Sequence, residues 1–435
     1  MRREHLHDVN LPGPHNLVQA TLDNGMQLLI YESWASETVV LDAYVPGGIW
    51  AEPPDKAGLA YITAGMLRRG AAGRTFDQIN EMVESVGASF GFECGRHILA
   101  FDGKSLAEDF PLVCRLLADA LQDPLFAADQ FEQLKAAVIN RIRERDNNPR
   151  SVAHRLFREH LYPAGHPYHR SLIGYIETVS GLGRDEAEDY YRRAFTPQGG
   201  WVVVCGAIQP AQAIDLLAET VGQWQVHDVR VPDAVPRGPD LPAEKVVVHQ
   251  LLPGKSQNDI VIGWPGIYRR HPDYFPLLVC NAILGSFGLG GRLGQRVREE
   301  QGLAYYAYSS FSVNRGTGTW YAVAGVNPKN VQTALSSILE EITRIRHEPV
   351  TDEELADVKA NLTGSLPLRL ESHAGIAGNL LTMAWYELGL DFLLRYAQEV
   401  NAVGKEDVLR VAQTYLHPER YVLAVAGPEY VEASS

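Results

Sequence analysis

Cysteine is scarce in this chain. Its four cysteines, Cys94, Cys114, Cys205 and Cys280, lie far apart, with no C-x-x-C pair. That spacing reads as buried free thiols in a reducing compartment more readily than as a disulfide framework. Positive charge is also short, with 39 Lys and Arg against 53 Asp and Glu and a net charge of -14. A nucleic-acid partner needs a clustered basic footprint, which is missing. No apolar run approaches the length of a membrane helix. Met1-Arg2-Arg3-Glu4-His5-Leu6-His7 has no apolar signal-peptide stretch, so the expected location is cytoplasmic, or periplasmic if a leader has been trimmed.

Several catalytic signatures are missing as well. There is no Gly-x-Ser-x-Gly elbow. Gly288-x-Gly290 is followed by Leu293 where a dinucleotide fingerprint needs glycine, and no Gly-Lys-Ser/Thr ending makes a P-loop. His154, Glu159 and His160 share a predicted helix, but their spacings put the latter two at about 140° and 240° from the first, too divergent to hold one metal. His166-Pro167-Tyr168-His169 is a short H-x-x-H stretch.

What is present is the composition of a folded protein, 46% hydrophobic and 21% charged, over a length that implies more than one domain. Pro232, Pro236, Pro239 and Pro242 mark an extended linker at 231–244, between an N-terminal domain over 1–230 and a C-terminal domain over 245–435. The two parts repeat each other. Phe195-Thr196-Pro197 and the apolar run ending at Gly206 match Leu416-His417-Pro418 and the run ending at Gly427, offset by 221; Gln133-Leu134-Lys135-Ala136 matches Asp357-Val358-Lys359-Ala360, offset by 224. In each half, alternating strands (26–31 and 38–45; 246–250 and 259–264) precede a helix (57–67; 272–285). Further strands (88–101; 305–326), long helices (128–146; 352–364) and a closing apolar strand follow. Strands grouped with helices imply an α+β fold, two tandem homologous α/β-sandwich domains.

Gly58-Leu59-Ala60-Tyr61-Ile62-Thr63-Ala64-Gly65-Met66-Leu67 resembles the "G-L-A-H-F-L-E-H-M-L-F-K-G" segment of the pitrilysin/insulinase metallopeptidases, which include mitochondrial processing peptidase. Leu59, Ala60, Met66, Leu67 and Gly70 keep their places. In that frame the inverted zinc motif H-x-x-E-H falls on Tyr61, Ala64 and Gly65. The motif sets two histidines one helical turn apart on one zinc, with a glutamate that acts on the bound water. The family's third ligand, a Glu, falls on Arg141, 76 residues after Gly65. There Val138-Ile139-Asn140-Arg141-Ile142-Arg143, with Asp146-Asn147-Asn148-Pro149 behind it, stands where the family has "V-L-A-E-L-R". The resemblance implies a clamshell of processing-peptidase type and a degenerate metal site.

Arg298 and Tyr305, seven apart in Val297-Arg298-Glu299-Glu300-Gln301-Gly302-Leu303-Ala304-Tyr305, resemble the family's Arg/Tyr pair, and Gly285 to Leu293 resembles its glycine-rich loop. The resemblance implies that Arg298 binds a substrate carbonyl and that Tyr305 stabilises the oxyanion. The matching substrate strand is Ala88-Ser89-Phe90-Gly91-Phe92-Glu93, where Gly91 and Phe92 replace the family's Asn-Ala; Phe92 could alternatively fill the empty metal site. Gly58 to Tyr61 and Gly302 to Tyr305 are identical tetrapeptides, but their offset of 244 breaks the repeat, which makes the match coincidental. The resulting expectation is a subunit that binds no zinc and is inactive alone. It would pair with a homologous H-x-x-E-H-bearing, zinc-holding subunit and contribute Arg298 and Tyr305 to peptide hydrolysis. The alternative is a scaffold or peptide-holding subunit of a larger assembly, and isolated chains could also pair with themselves.

Overall fold

The computed structural model of the protein describes residues 11–225 and 237–429, so the expected linker residues 231–236 and the first residues of the chain lie outside it. The first half runs β1 (Val18–Thr21), β2 (Gln27–Glu32), β3 (Thr38–Pro46), α1 (Leu59–Met66), the short hairpin β4 (Gly70–Ala71) and β5 (Arg74–Thr75), and α2 (Phe76–Ser85). It continues through β6 (Ser89–Cys94), β7 (Ile98–Leu106), α3 (Phe110–Gln122), α4 (Ala128–Asp146), α5 (Pro149–Leu161), α6 (Ile176–Ser180), α7 (Arg184–Ala194), β8 (Trp201–Gly206) and α8 (Pro210–Glu219). The second half follows with β9 (Val246–Leu251), β10 (Asn258–Pro265), α9 (Tyr274–Asn281), β11 (Ala304–Val313) and β12 (Gly318–Val326). Then come α10 (Val331–His347), α11 (Asp352–Arg369), α12 (His373–Trp385), α13 (Phe392–Ala402), α14 (Lys405–Tyr415) and β13 (Val422–Gly427). The expected helix over 272–285 is α only to Asn281; Ala282–Ser286 widens into a π turn that carries the glycine-rich loop away.

Besides the two-stranded β4-β5 sheet, the described residues form two large sheets, ordered β1-β2-β8-β3-β7-β6 and β11-β12-β10-β13-β9. Apart from β1 they share one topology. β2 runs parallel to β8 as β9 does to β13. Next to that pair come antiparallel β3 or β10, then β7 or β12, then β6 or β11 at the far edge. The inferred duplication is therefore visible in the backbone. Gly206 and Gly427, 221 apart, both end their strands at φ 147°, and a Cβ there would lie 2.2 Å from the Thr38 carbonyl in one case and 2.1 Å from Asn258 Oδ1 in the other. Only glycine meets both demands.

The compact units differ from the contiguous domains expected at 1–230 and 245–435. Among the described residues, one unit comprises 11–139, 172–225 and 365–397, and the other 140–171, 237–364 and 398–429. The two halves of the chain thus exchange a helix, since α5 belongs to the second sheet's unit and α12 to the first's. The exchanged helices start alike, at Asn148 and Ser372, 224 apart, whose side chains cap Ser151 N (3.0 Å) and Gly375 N (3.1 Å). In the second unit Val152, Ala153, Leu156 and Phe157 of α5 bury against Val261, Val323, Val422 and Ala424. In the first unit Trp385 of α12 meets Tyr44 of β3 edge-on at 5.9 Å.

The buried His373 anchors the start of α12 to β3 and the preceding loop. Its Nδ1 lies 2.9 Å from the Thr38 carbonyl, which can only accept; this puts the ring proton on Nδ1 and leaves Nε2 to accept from Ser33 Oγ at 3.1 Å. Burying an apolar helix on a foreign sheet removes as much surface from water as burying it on its own. Periodicity therefore predicts the helix but not the sheet it covers.

Candidate functional site

α1 is an eight-residue helix whose N-terminus is capped by Glu52, with Oε1 accepting from Ala60 N at 3.1 Å. Leu59, Ala60, Ile62, Thr63, Ala64 and Met66 are buried, while Tyr61 and Gly65 share the half-exposed face one turn apart, the arrangement a zinc helix uses. The side chains do not fit a zinc ion. Ala64 and Gly65 offer no donor atom, and a Cβ on Gly65 would lie 2.9 Å from Leu134 Cδ2 of α4. The third position, Arg141 on the same α4, is an exposed cation. Among the described residues no group of three or more His, Cys, Asp or Glu side chains is gathered to hold a metal.

The side chain that closes on Gly65 is Leu134. Phe92 instead lies in a row of rings, 6.2 Å from Phe90 and 6.0 Å from Phe101. Its strand β6 is the terminal strand of the first sheet, as expected for an edge that could pair with a peptide. Beside β6, Gly91 registers against Asp102 of β7, and Asp102 against Asp42 of β3. Alternation puts Asp42 and Asp102 on the sheet face that α12 covers, opposite Gly103, which packs on Val113 of α3. Burial, then the Asp102 carboxylate, push the Asp42 carboxyl up to about 6. Asp102 is raised by burial and by Glu93, and Arg68 partly opposes the shift.

In the second unit, Arg298 sits in the π-type segment Gly294–Glu300, and Gly302, at φ 60°, turns the chain into β11. The same four residue types at Gly58 to Tyr61 start a helix, so the two tetrapeptides play different structural parts. β11 opens with a bulge: Ala304 pairs with Val326 and Tyr306 with Gly325, leaving Tyr305 as the extra residue. The bulge turns Tyr305 outward to 82% exposure. Arg298 is half exposed, and among the described residues only its Nε is paired, to Glu299 at 3.5 Å. It lines a cavity of about 480 Å³, and Tyr306 and Tyr308 line it too, whereas Tyr305 does not. The expected pair is thus divided between a cavity wall and open solvent.

A polar cluster beside this cavity escaped the sequence reading. Tyr306 donates to the buried Asp259, which also accepts from Gln257 Nε2 at 3.1 Å. Arg150 of α5 donates to Tyr308 and lies over the Tyr306 and Tyr308 rings at 4.8 and 5.4 Å. Burial raises the Asp259 carboxyl, and the hydrogen bonds from Tyr306 and Gln257 oppose the rise. The run Tyr305-Tyr306-Ala307-Tyr308 hinted at such a cluster, but Arg150 comes from the exchanged helix and has no local sequence signal. The other histidines on and after α5 form no site. His154 is half-buried and pushed down to about 4 by desolvation and then by Arg150 and Arg158, Glu159 pairs with Arg155 at 3.0 Å, and His160 Nδ1 bonds the Leu156 carbonyl at 2.8 Å. All four cysteines are free; burial raises every thiol, Cys205 to about 12, so none is a ready nucleophile.

A duplicated α+β unit built around a zinc-type helix without ligands defines a metallopeptidase-like protein. The family model for insulinase, peptidase family M16, matches residues 29–174, and that for the peptidase M16 inactive domain matches 181–362. The chain belongs to the M16 peptidase family. It is 24% identical over 421 residues to an uncharacterized zinc protease of Streptomyces coelicolor, covering 94% of this chain and 89% of that one. It is also 24% identical over 423 residues to the beta subunit of mitochondrial-processing peptidase from Saccharomyces cerevisiae, covering 93% and 90%. The solved structure of the peptidase M16 inactive domain from Pseudomonas fluorescens superposes with a TM-score of 0.87 at 24% identity, covering 96% of this chain and 99% of that one.

Proposed function

We propose that this chain is the zinc-free subunit of a two-subunit M16 peptidase of the cytoplasm, and that a homologous companion bearing H-x-x-E-H and the third Glu holds the metal. The observation that carries this reading is the contrast between the two sites. The zinc helix is closed by Leu134 against Gly65, while Tyr305 stands 82% exposed on a bulge. An aromatic hydroxyl turned into solvent contributes nothing to this chain's own core, but it suits a donor that acts on a peptide held elsewhere. In this reading Arg298 binds a peptide carbonyl and Tyr305 donates to the oxyanion that develops during hydrolysis, while the companion's zinc supplies the activated water.

The test is to purify the chain at native expression level, identify what accompanies it by mass spectrometry, and reconstitute the pair. A stoichiometric companion with H-x-x-E-H, and peptide cleavage by the pair but by neither chain alone, supports the reading. A chain found only with itself or in an assembly without peptidase activity moves the function to a scaffold.

A further inference from the structure

β11 is the terminal strand of the second sheet, with β12 its only neighbour. Among the described residues, no backbone hydrogen bond leaves β11 on its other side. Natural edge strands are usually protected by lysine, proline, inward charge or a bulge. Ala304–Val313, AYYAYSSFSV, has neither charge nor proline, and its one bulge lies at its start, so the remainder is an open template.

The ≈ 480 Å³ cavity lies along this edge. It is lined by the consecutive residues Tyr306 to Ser310, facing Gly285, Ser286, Gly288 and Arg298. Successive strand side chains point to opposite faces. Tyr308 reaches Arg150 of α5 on one face, and Ser309 Oγ reaches the Asn281 carbonyl of α9 on the other. A space touched by both sets runs beside the backbone rather than over one face. Opposite it, Gly288 leaves its Cβ position open, with nothing within 4 Å, which gives a second backbone room to enter. Among the described residues Arg298 is the only charged residue in the lining, and its Nη groups have no partner there.

We infer that β11 accepts an extended peptide segment as a sixth strand of this sheet, and that an acidic side chain of that segment pairs with Arg298. Backbone hydrogen bonds supply the affinity and the guanidinium supplies the charge preference. The inference shares Arg298 with the two-subunit reading but needs neither a companion nor turnover.

The test uses the full chain alone and fluorescence anisotropy. The probes are a fluorescein-labelled peptide of alternating valine and threonine carrying aspartates, its isomer with lysines in their place, and the aspartate peptide N-methylated at alternate amides. Binding of the aspartate peptide, weakened about tenfold or more in either altered peptide and in the Ser286→Trp variant, is the expected result. Ser286 is exposed, so that variant should keep the wild-type melting temperature. Equal binding of all three peptides overturns the inference. So does binding unaffected by Ser286→Trp but lost in Gly91→Pro, which would put the peptide on β6. Absence of binding together with self-association that Ser286→Trp disrupts also overturns it, by making a second copy the occupant. None of these outcomes bears on whether a zinc-bearing companion exists, so the two readings fail separately.

Discussion

The Cβ that Gly65 lacks would lie 2.9 Å from Leu134 Cδ2. One apolar side chain thus stands where a second zinc ligand would have to leave the helix. A histidine at 65 must displace that methyl group, and overpacking of this kind costs about 1–3 kcal/mol. Gly65→His should therefore destabilise the chain, and Leu134→Ala should relieve part of the cost. A double-mutant cycle by chemical denaturation should give a favourable coupling of about 1–2 kcal/mol. Additive effects would show that Leu134 moves aside freely.

The Asp42–Asp102 pair predicts a pH dependence of stability. The Asp42 carboxyl is raised to about 6 in the folded chain, from an ordinary value near 3.8. Between these values the folded state binds more protons than the unfolded state, so stability falls as pH rises through that window and stays reduced above it. Asp42→Asn should remove this slope and raise stability at pH 8, by up to roughly 2–3 kcal/mol. Unfolding midpoints between pH 4 and pH 8 measure it. A variant that retains the wild-type slope would assign the effect to other groups.

His373→Ala should loosen the exchanged helix. It deletes the hydrogen bonds to Thr38 O and Ser33 Oγ and removes a buried ring, at a cost of about 1–3 kcal/mol. Hydrogen exchange should accelerate first in α12. Unchanged protection there would mean that packing of residues such as Trp385 holds the helix without the imidazole.

Tyr305→Phe removes one hydroxyl from an exposed position and should leave folding and assembly intact. In the reconstituted pair of the proposed function, turnover should fall by about 10²–10³, the usual effect of losing one oxyanion donor. Turnover equal to that of the wild-type complex would remove Tyr305 from the chemistry.

Much of the architecture was legible in the residues. Alternation at 38–45 and 259–264 located β3 and β10 nearly to their ends, and the 221-residue offset between Gly206 and Gly427 anticipated two strands ending at the same φ. The metal positions Tyr61, Ala64, Gly65 and Arg141 follow from the frame that the family resemblance sets, and within that frame Ala64 and Gly65 carry no donor atom. The candidate site was less legible. Tyr305 and Tyr306 are adjacent in sequence, and only the bulge sends one into solvent and the other to Asp259.

By itself the sequence determined the local elements and the duplicated order, since these follow from the spacing of residue types along the chain; the missing ligands follow only from the frame of the family resemblance. Tertiary structure alone decided that α5 and α12 trade sheets, that Leu134 closes on Gly65, that Arg150 reaches Tyr308, and that β11 ends its sheet with a free edge. An apolar helix face is satisfied by any complementary sheet, and an edge differs from a central strand only in whether a neighbour is there. Both depend on contacts between residues far apart in the chain, which no local pattern encodes.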